Sequence, residues 1–302
     1  MDHSTIAGLA DFYLLRCELE GKSPRTVRAY RETVTRFIRG LPPNVTRPDQ
    51  VRAEEIYEYL GAFTELSLET RHRYFREVRC FFNWLVELDY LERNPFRGMK
   101  NVRLPQRIVE PFSSADVDAL LDACSESAIG SRDRALMLVL LDTGVRCSEL
   151  VQLALVDLDL SARRLRVLHG KGNRQRVVPF AERCATALGA YLCERGMEAG
   201  PLFEAGTPQR ELRVGVALQP NGVKQLLRRL GKRSGVQKVH AHRFRHTFAT
   251  WAIQHDAREL DVQYLLGHSS PDMVRRYSSS YRSEQAALRH ASFSPADQMV
   301  RW

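Results

Sequence analysis

Through the first hundred residues, apolar positions recur at intervals of three and four, the period of helices that bury one face. Ile6, Leu9 and Tyr13 open a first stripe. Ser23-Pro24 has the form of an N-cap followed by proline at the first helical position. Behind it Val27, Tyr30, Val34, Phe37, Ile38 and Leu41 keep the helical period until Pro42-Pro43 ends it. Ile56, Leu60 and Phe63 mark a third helix. A fourth runs from about Ser67 through Tyr74, Val78, Phe81, Leu85 and Val86 and stops before Asn94-Pro95. Four helices with short connections predict a small bundle over residues 1–103. Lys100 to Glu110 is polar, basic and aperiodic, with one proline, and reads as a linker.

From residue 104 the pattern is mixed. Ser113 and Ser114, with Asp116 behind them, read as a helix start ahead of Val117, Leu120 and Leu121. Residues 134–144 (RALMLVLLDTG) form a near-continuous apolar helix ending at Gly144 and predicted to be buried on all sides. The period then changes to two. Val156, Leu158 and Leu160 alternate, followed by Leu165, Val167 and Leu168, then Val177 and Val178, so short strands are expected. Gly170-Lys171-Gly172-Asn173 is a hairpin turn signal that puts Lys171 at a tip between glycines. Helices are expected again at about 181–195 and 221–234. The fold class is therefore two-domain and mainly α: a helical bundle at 1–103 and an α+β domain with a small antiparallel sheet at 104–302.

Charge narrows the partners. The 302 residues carry a formal net charge of +9. Residues 1–103 hold 17 Lys and Arg against 15 Asp and Glu, and the remainder 28 against 21, so the excess sits mostly in the second domain. A basic balance favours a polyanion, most often nucleic acid. In the bundle, Arg25, Arg28, Arg71 and Arg79 are candidate phosphate contacts, although the same helices carry Glu32, Glu69 and Glu77. In the second domain Arg174, Arg176, Lys224 and Arg228 join them, the last two from a strongly basic helix able to lie along a DNA groove. Six cysteines show no metal spacing and read as reduced thiols of a cytoplasmic protein. No stretch is long and apolar enough to span a membrane.

Candidate chemistry concentrates between His240 and Tyr277. His242-Arg243-Phe244-Arg245-His246 sets two histidines four apart among arginines, and Leu265-Leu266-Gly267-His268 leads to Tyr277. The histidine spacing could hold zinc, but Arg243 stands where a metalloprotease would need its glutamate, and two arginines favour a phosphate over a dication. A tyrosine with its pKa near 10 attacks phosphorus when arginines neutralise the non-bridging oxygens and the leaving oxygen receives a proton. Arg146 and Arg245 suit the first task and Lys171 the second. His242 can take the tyrosine proton and His268 can bond a phosphate oxygen. Arg146 follows the most apolar helix, where it needs an anionic partner; Glu149 is one, either as a structural pair or as support for the site. The glycine-rich turn lacks the spacing of a nucleotide-binding loop.

These motifs, TGVRCSEL (143–150), GKGNRQRVVP (170–179), HRFRHTFAT (242–250) and LLGHSSPDMVRRY (265–277), resemble those of the tyrosine recombinases of the phage-integrase family, most closely the Xer-like branch. The resemblance covers nearly the whole chain. It implies a helical core-binding domain and a catalytic domain that close on DNA. It implies Arg146, Lys171, His242, Arg245, His268 and the nucleophile Tyr277 as the catalytic set, with Glu149 in support. Site-specific cleavage and rejoining would proceed through a 3′-phosphotyrosine and a Holliday junction, without metal, ATP or other cofactor. The implied partners are a duplex recombination site and further protomers, a tetramer on two sites, formed with itself or a related recombinase. The role could be chromosome dimer resolution or mobile-element integration and excision. The family's C-terminal segment packs on the neighbouring protomer; here the tail at about 284–302, with Glu284 to His290 as a helix, is the candidate.

Overall fold

The computed structural model describes residues 2–105, 109–168, 175–207, 209, 211–267, 290, 292 and 294–298. The chain forms two compact units, Met1–Arg107 and Ile108–Trp302.

In the first unit, helices α1 (Ile6–Leu19), α2 (Pro24–Arg39), α3 (Ala53–Gly61) and α4 (Leu68–Glu87) follow the apolar stripes. Ser23 and Ser67 cap α2 and α4, each side chain accepting from the backbone N–H three residues on. The core is aromatic. Phe37, Phe81, Phe82 and Phe96 are fully buried, and Phe37 and Phe82 meet edge to face at 5.7 Å. Such pairs add about 0.5–1.5 kcal/mol beyond area burial. α4 ends at Glu87, before Asn94-Pro95 as the pattern predicts, and Asp89 adopts a positive φ of 59° in the turn that follows. One detail differs from the sequence reading. Glu77 does not share the solvated face: it is 3% exposed and accepts a 2.6 Å hydrogen bond from Thr33 Oγ1, so it ties α4 to α2.

The second unit is built around α6 (Ala128–Thr143), which α5 (Ser114–Asp122) precedes and the short α7 (Cys147–Leu150) follows. Ala135 to Leu140 are all buried, as expected of an apolar run with no polar face. α8 (Glu182–Arg195) and α10 (Ala241–Gln254) pack on α6. α9 (Pro220–Ser234) covers α5, and α11 (Glu259–Leu266) packs on α10. A last described turn of helix, α12, spans Pro295–Gln298. Strands β1 (Leu158–Asp159), β2 (Arg164–Val167) and β3 (Arg176–Pro179) make an antiparallel sheet in that order, with Leu165 opposite Val178 and Val167 opposite Arg176.

The strand expected from Val156 is mostly a turn of 3₁₀ helix at Leu155–Asp157, with Val156 exposed. Asp157 explains the change: its carboxylate accepts from Ala154 N–H at 3.0 Å and diverts the backbone from the ladder. A second hairpin, β4 (Glu204–Gly206) with β5 (Leu212–Ala217), was not legible in the pattern. Gly215, at φ 72°, interrupts the alternation of β5, whose side chains are largely exposed. Arg132, 3% exposed, ties this hairpin to α6 by donating to Glu204 O at 2.8 Å and to Asp133.

Candidate active site

Three chain segments meet where α6 ends. Gly144 closes α6 in the left-handed conformation, with φ 60°. A Cβ added there would lie 2.6 Å from Leu266 Cδ2 and 2.7 Å from Phe248 Cδ1. Glycine is thus needed both for the backbone turn and for the close approach of α10 and α11.

Two arginines are fixed at this junction. Arg245, 3% exposed, leaves the buried face of α10 and donates from Nη1 to Gly144 O and from Nη2 to Leu266 O, each at 2.7 Å. Arg146, the N-cap residue of α7, donates from Nη2 to Gly267 O at 3.3 Å and from Nη1 to Glu149 Oε1 at 2.7 Å. The two guanidiniums therefore hang on consecutive carbonyls, Leu266 and Gly267. Arg146 keeps 26% of its side chain exposed and retains N–H donors for a ligand anion.

Glu149 is the anion that makes this concentration of positive charge tolerable. Its carboxylate is buried and accepts four hydrogen bonds: from Arg146 Nη1, from the Arg146 backbone N–H at 2.9 Å, and from Arg176 Nη1 and Nη2 at 3.1 and 2.7 Å. Burial alone would raise its pKa, but the bonds from Arg176 and Arg146 together outweigh burial and lower it. Glu149 is therefore an anion at neutral pH.

His242 lies in the first turn of α10 and is exposed. Desolvation lowers its pKa below 6.5, and the charges of Arg245 and Arg146 lower it further. The imidazole is neutral at pH 7 and able to accept a proton. His246, one turn on, is pushed down to about 4 by desolvation and then by His242 and Arg243, and its Nδ1 lies 3.3 Å from Thr250 Oγ1.

Arg243 is not part of the cationic cluster that its sequence position suggests. Residues two apart on a helix point to different sides. Arg243 donates to the carbonyls of Glu110, Pro111 and Gln237 and stacks over Phe112 at 4.0 Å, anchoring α10 to the start of the unit. Arg176 also departs from expectation. Proposed from sequence as a DNA contact, its side chain is only 8% exposed and turned toward Glu149. Lys171, Arg174, His268, Tyr277 and residues 284–289 lie outside the described residues.

The arginines of the first unit separate by ion pairing. Arg16, Arg31, Arg36, Arg73 and Arg76 each have a carboxylate within 4.0 Å. Arg25, Arg28, Arg71 and Arg79 have no such partner among the described residues. On α9, Lys224 and Arg228 are exposed and likewise have no described carboxylate partner. Arg79 also lines a concavity of about 350 Å³ with Asn83, Glu92, Arg93, Asn94 and Arg97, and no ion pair to Glu92 is described there. Asn94 fixes that loop by accepting from Phe96 N–H at 2.8 Å and donating to Arg79 O. Arg93 and Arg97 were not singled out in the sequence; the signal available was two arginines flanking an Asn-Pro turn.

Comparison with known proteins matches residues 111–284 to the phage integrase family and residues 9–92 to the phage integrase N-terminal SAM-like domain. Tyrosine recombinase XerC of Myxococcus xanthus is 32% identical over 265 residues, covering 86% of this chain and 88% of that one. Tyrosine recombinase XerD of Ralstonia nicotianae is 29% identical, covering 91% and 90%. The crystal structure of XerH site-specific recombinase bound to palindromic difH substrate superposes with a TM-score of 0.71, covering 96% and 90% at 19% identity, a likeness of fold.

Proposed function

Because the chain belongs to the phage integrase family, as a Xer-like tyrosine recombinase, we propose that it cuts and rejoins duplex DNA at a specific site through a covalent link to Tyr277. The phenolic oxygen of Tyr277 attacks the scissile phosphorus while His242, neutral at pH 7, takes its proton. The bond from phosphorus to the 5′ oxygen breaks, and Lys171 protonates that oxygen as it leaves. Arg146 and Arg245 hold the non-bridging oxygens as negative charge builds on them, and His268 bonds one of those oxygens. Charge stabilisation of this kind is worth about 3–4 kcal/mol per donor.

The product is a 3′-phosphotyrosine and a free 5′ hydroxyl. A 5′ hydroxyl from a partner strand then attacks the same phosphorus and displaces Tyr277. One phosphate ester replaces another, so no ATP is consumed. Two rounds on paired sites pass through a Holliday junction, with four protomers on two sites. The segment from Glu284 to His290 would pack against the neighbouring protomer. In the first unit, Arg25, Arg28, Arg71 and Arg79, with Arg93 and Arg97 beside Arg79, would contact phosphates and set register. Lys224 and Arg228 would do so from α9, and Arg174, two residues before β3 in the sequence, would do the same.

The observation that carries the proposal is the Arg146 and Arg245 pair, anchored on consecutive carbonyls beside a neutral histidine. The test is a nicked suicide substrate that loses its 5′ hydroxyl by diffusion. The intact chain is expected to accumulate a covalent adduct that survives denaturing electrophoresis, and Tyr277→Phe to accumulate none. An adduct that persists in Tyr277→Phe would sink the assignment of the nucleophile.

A further inference from the structure

We infer that Arg176 is a positioning residue of the site, holding three separate chain segments in one arrangement. This rests on the recombinase reading for the reaction it serves. Arg176 is the first residue of β3. Its Nη1 and Nη2 take both oxygens of Glu149 on α7, and its Nε donates to Leu265 O at 2.8 Å, near the end of α11. The guanidinium thus has three separate bonds to groups 27 and 89 residues away. Planar, bidentate geometry of this kind is specific to arginine, and lysine cannot reproduce it.

The consequences run through each segment. Glu149 holds the side chain and the backbone N–H of Arg146, so the acid that Arg176 fixes is the acid that orients Arg146. Leu265 precedes the two carbonyls on which Arg245 and Arg146 hang. Gly267, at φ 62°, lets the guanidinium approach: an added Cβ would lie 3.2 Å from Arg176 Nη1. Along the sequence, β3 is the segment that follows Lys171 by five residues, and Gly267 is the residue before His268. One buried guanidinium is bonded to or continuous along the chain with the segments that carry Arg146, Lys171 and His268, three of the groups the reaction requires.

A DNA contact and a positioning group make different predictions for Arg176. The variants are Arg176→Met, Arg176→Gln and Arg176→Lys in the full-length chain. The exposed Arg164→Met on β2 is the control. Hydrogen exchange of the DNA-free protein is read in peptides covering 145–151 and 262–267. Arg176→Met and Arg176→Gln are expected to speed exchange in both peptides together by about tenfold or more, the behaviour of a shared opening unit, and Arg164→Met in neither. Faster exchange confined to residues 176–179 would overturn the inference, whether or not the chain cleaves DNA.

On a suicide substrate, single-turnover cleavage by Arg176→Met is expected to fall about 100-fold, the cost of ångström-scale misplacement. Affinity for the same site should change less than about threefold, and Arg176→Lys should recover part of the rate. Unchanged cleavage of bound DNA, with a salt slope shallower by about one ion, would make Arg176 a phosphate contact and refute the inference. Failure of the unaltered chain to form any adduct would instead count against the recombinase reading, leaving the exchange result to decide on Arg176.

Discussion

Arg243 and Arg245 show how little residue type decides alone. They are two positions apart on one helix, yet one stacks on Phe112 and the other is buried between two carbonyls. His242 and His246 diverge in the same way: the first is exposed and feels the charge of both site arginines, the second is half-buried against Thr250. His246 also carries a stability prediction. Its pKa in the folded chain is about 4, against 6.5 for the ordinary side chain. The folded state therefore binds fewer protons than the unfolded state between these values, and stability must fall as pH drops through that window. The contribution is fully present above 6.5 and is lost by about 4. Urea melts at pH 7 and pH 5 should show a smaller loss for His246→Gln than for the unaltered chain. Equal losses would mean that His246 does not report the acid sensitivity.

At the scale of elements, periodicity was a good guide where one face is buried and the other wet. All four helices of the first unit, and the helix starts at Ser23 and Ser113, stand where the pattern put them. It was a poor guide where side chains redirect the backbone, as Asp157 does, or where a hairpin is exposed on both faces, as β5 is. The hinge of the site is the end of α6. Gly144→Ala should destabilise the second unit by about 1–2 kcal/mol from the left-handed conformation alone, and further through contact with Leu266 and Phe248. A lower thermal midpoint accompanied by loss of cleavage is expected. If the midpoint is unchanged, the close approach of α10 and α11 to Gly144 is not a constraint in solution.

Over the whole molecule, a charge of +9 spread over exposed arginines calls for a salt-dependent encounter with DNA. Sorting the arginines by carboxylate pairing refines the count. Arg73 and Arg76 have partners, whereas Arg79, Arg93 and Arg97 line one concavity without a described one. Replacing those three with alanine should flatten the slope of log affinity against log salt by about 2.7, at about 0.9 for each phosphate contact. Replacing Arg31, Arg36 and Arg73, which are paired, should change it by much less. Gel shifts from about 50 to 200 mM salt separate the two sets; equal slopes would remove the distinction between paired and unpaired arginines.

The sequence by itself determined the helices, the two-part organisation and the residue types available for phosphoryl transfer, because periodicity, caps and motif spacing are local properties of the chain. It could pair Arg146 with Glu149, three residues away, for the same reason. It could not show that Arg176 completes that pair, or that Gly144, Leu266 and Gly267 supply the carbonyls that orient both arginines. Those contacts join residues 21 to 121 positions apart and depend on where buried helices stop. Only the tertiary structure decides them, since desolvated guanidiniums must find acceptors, and packing determines which carbonyls come within reach.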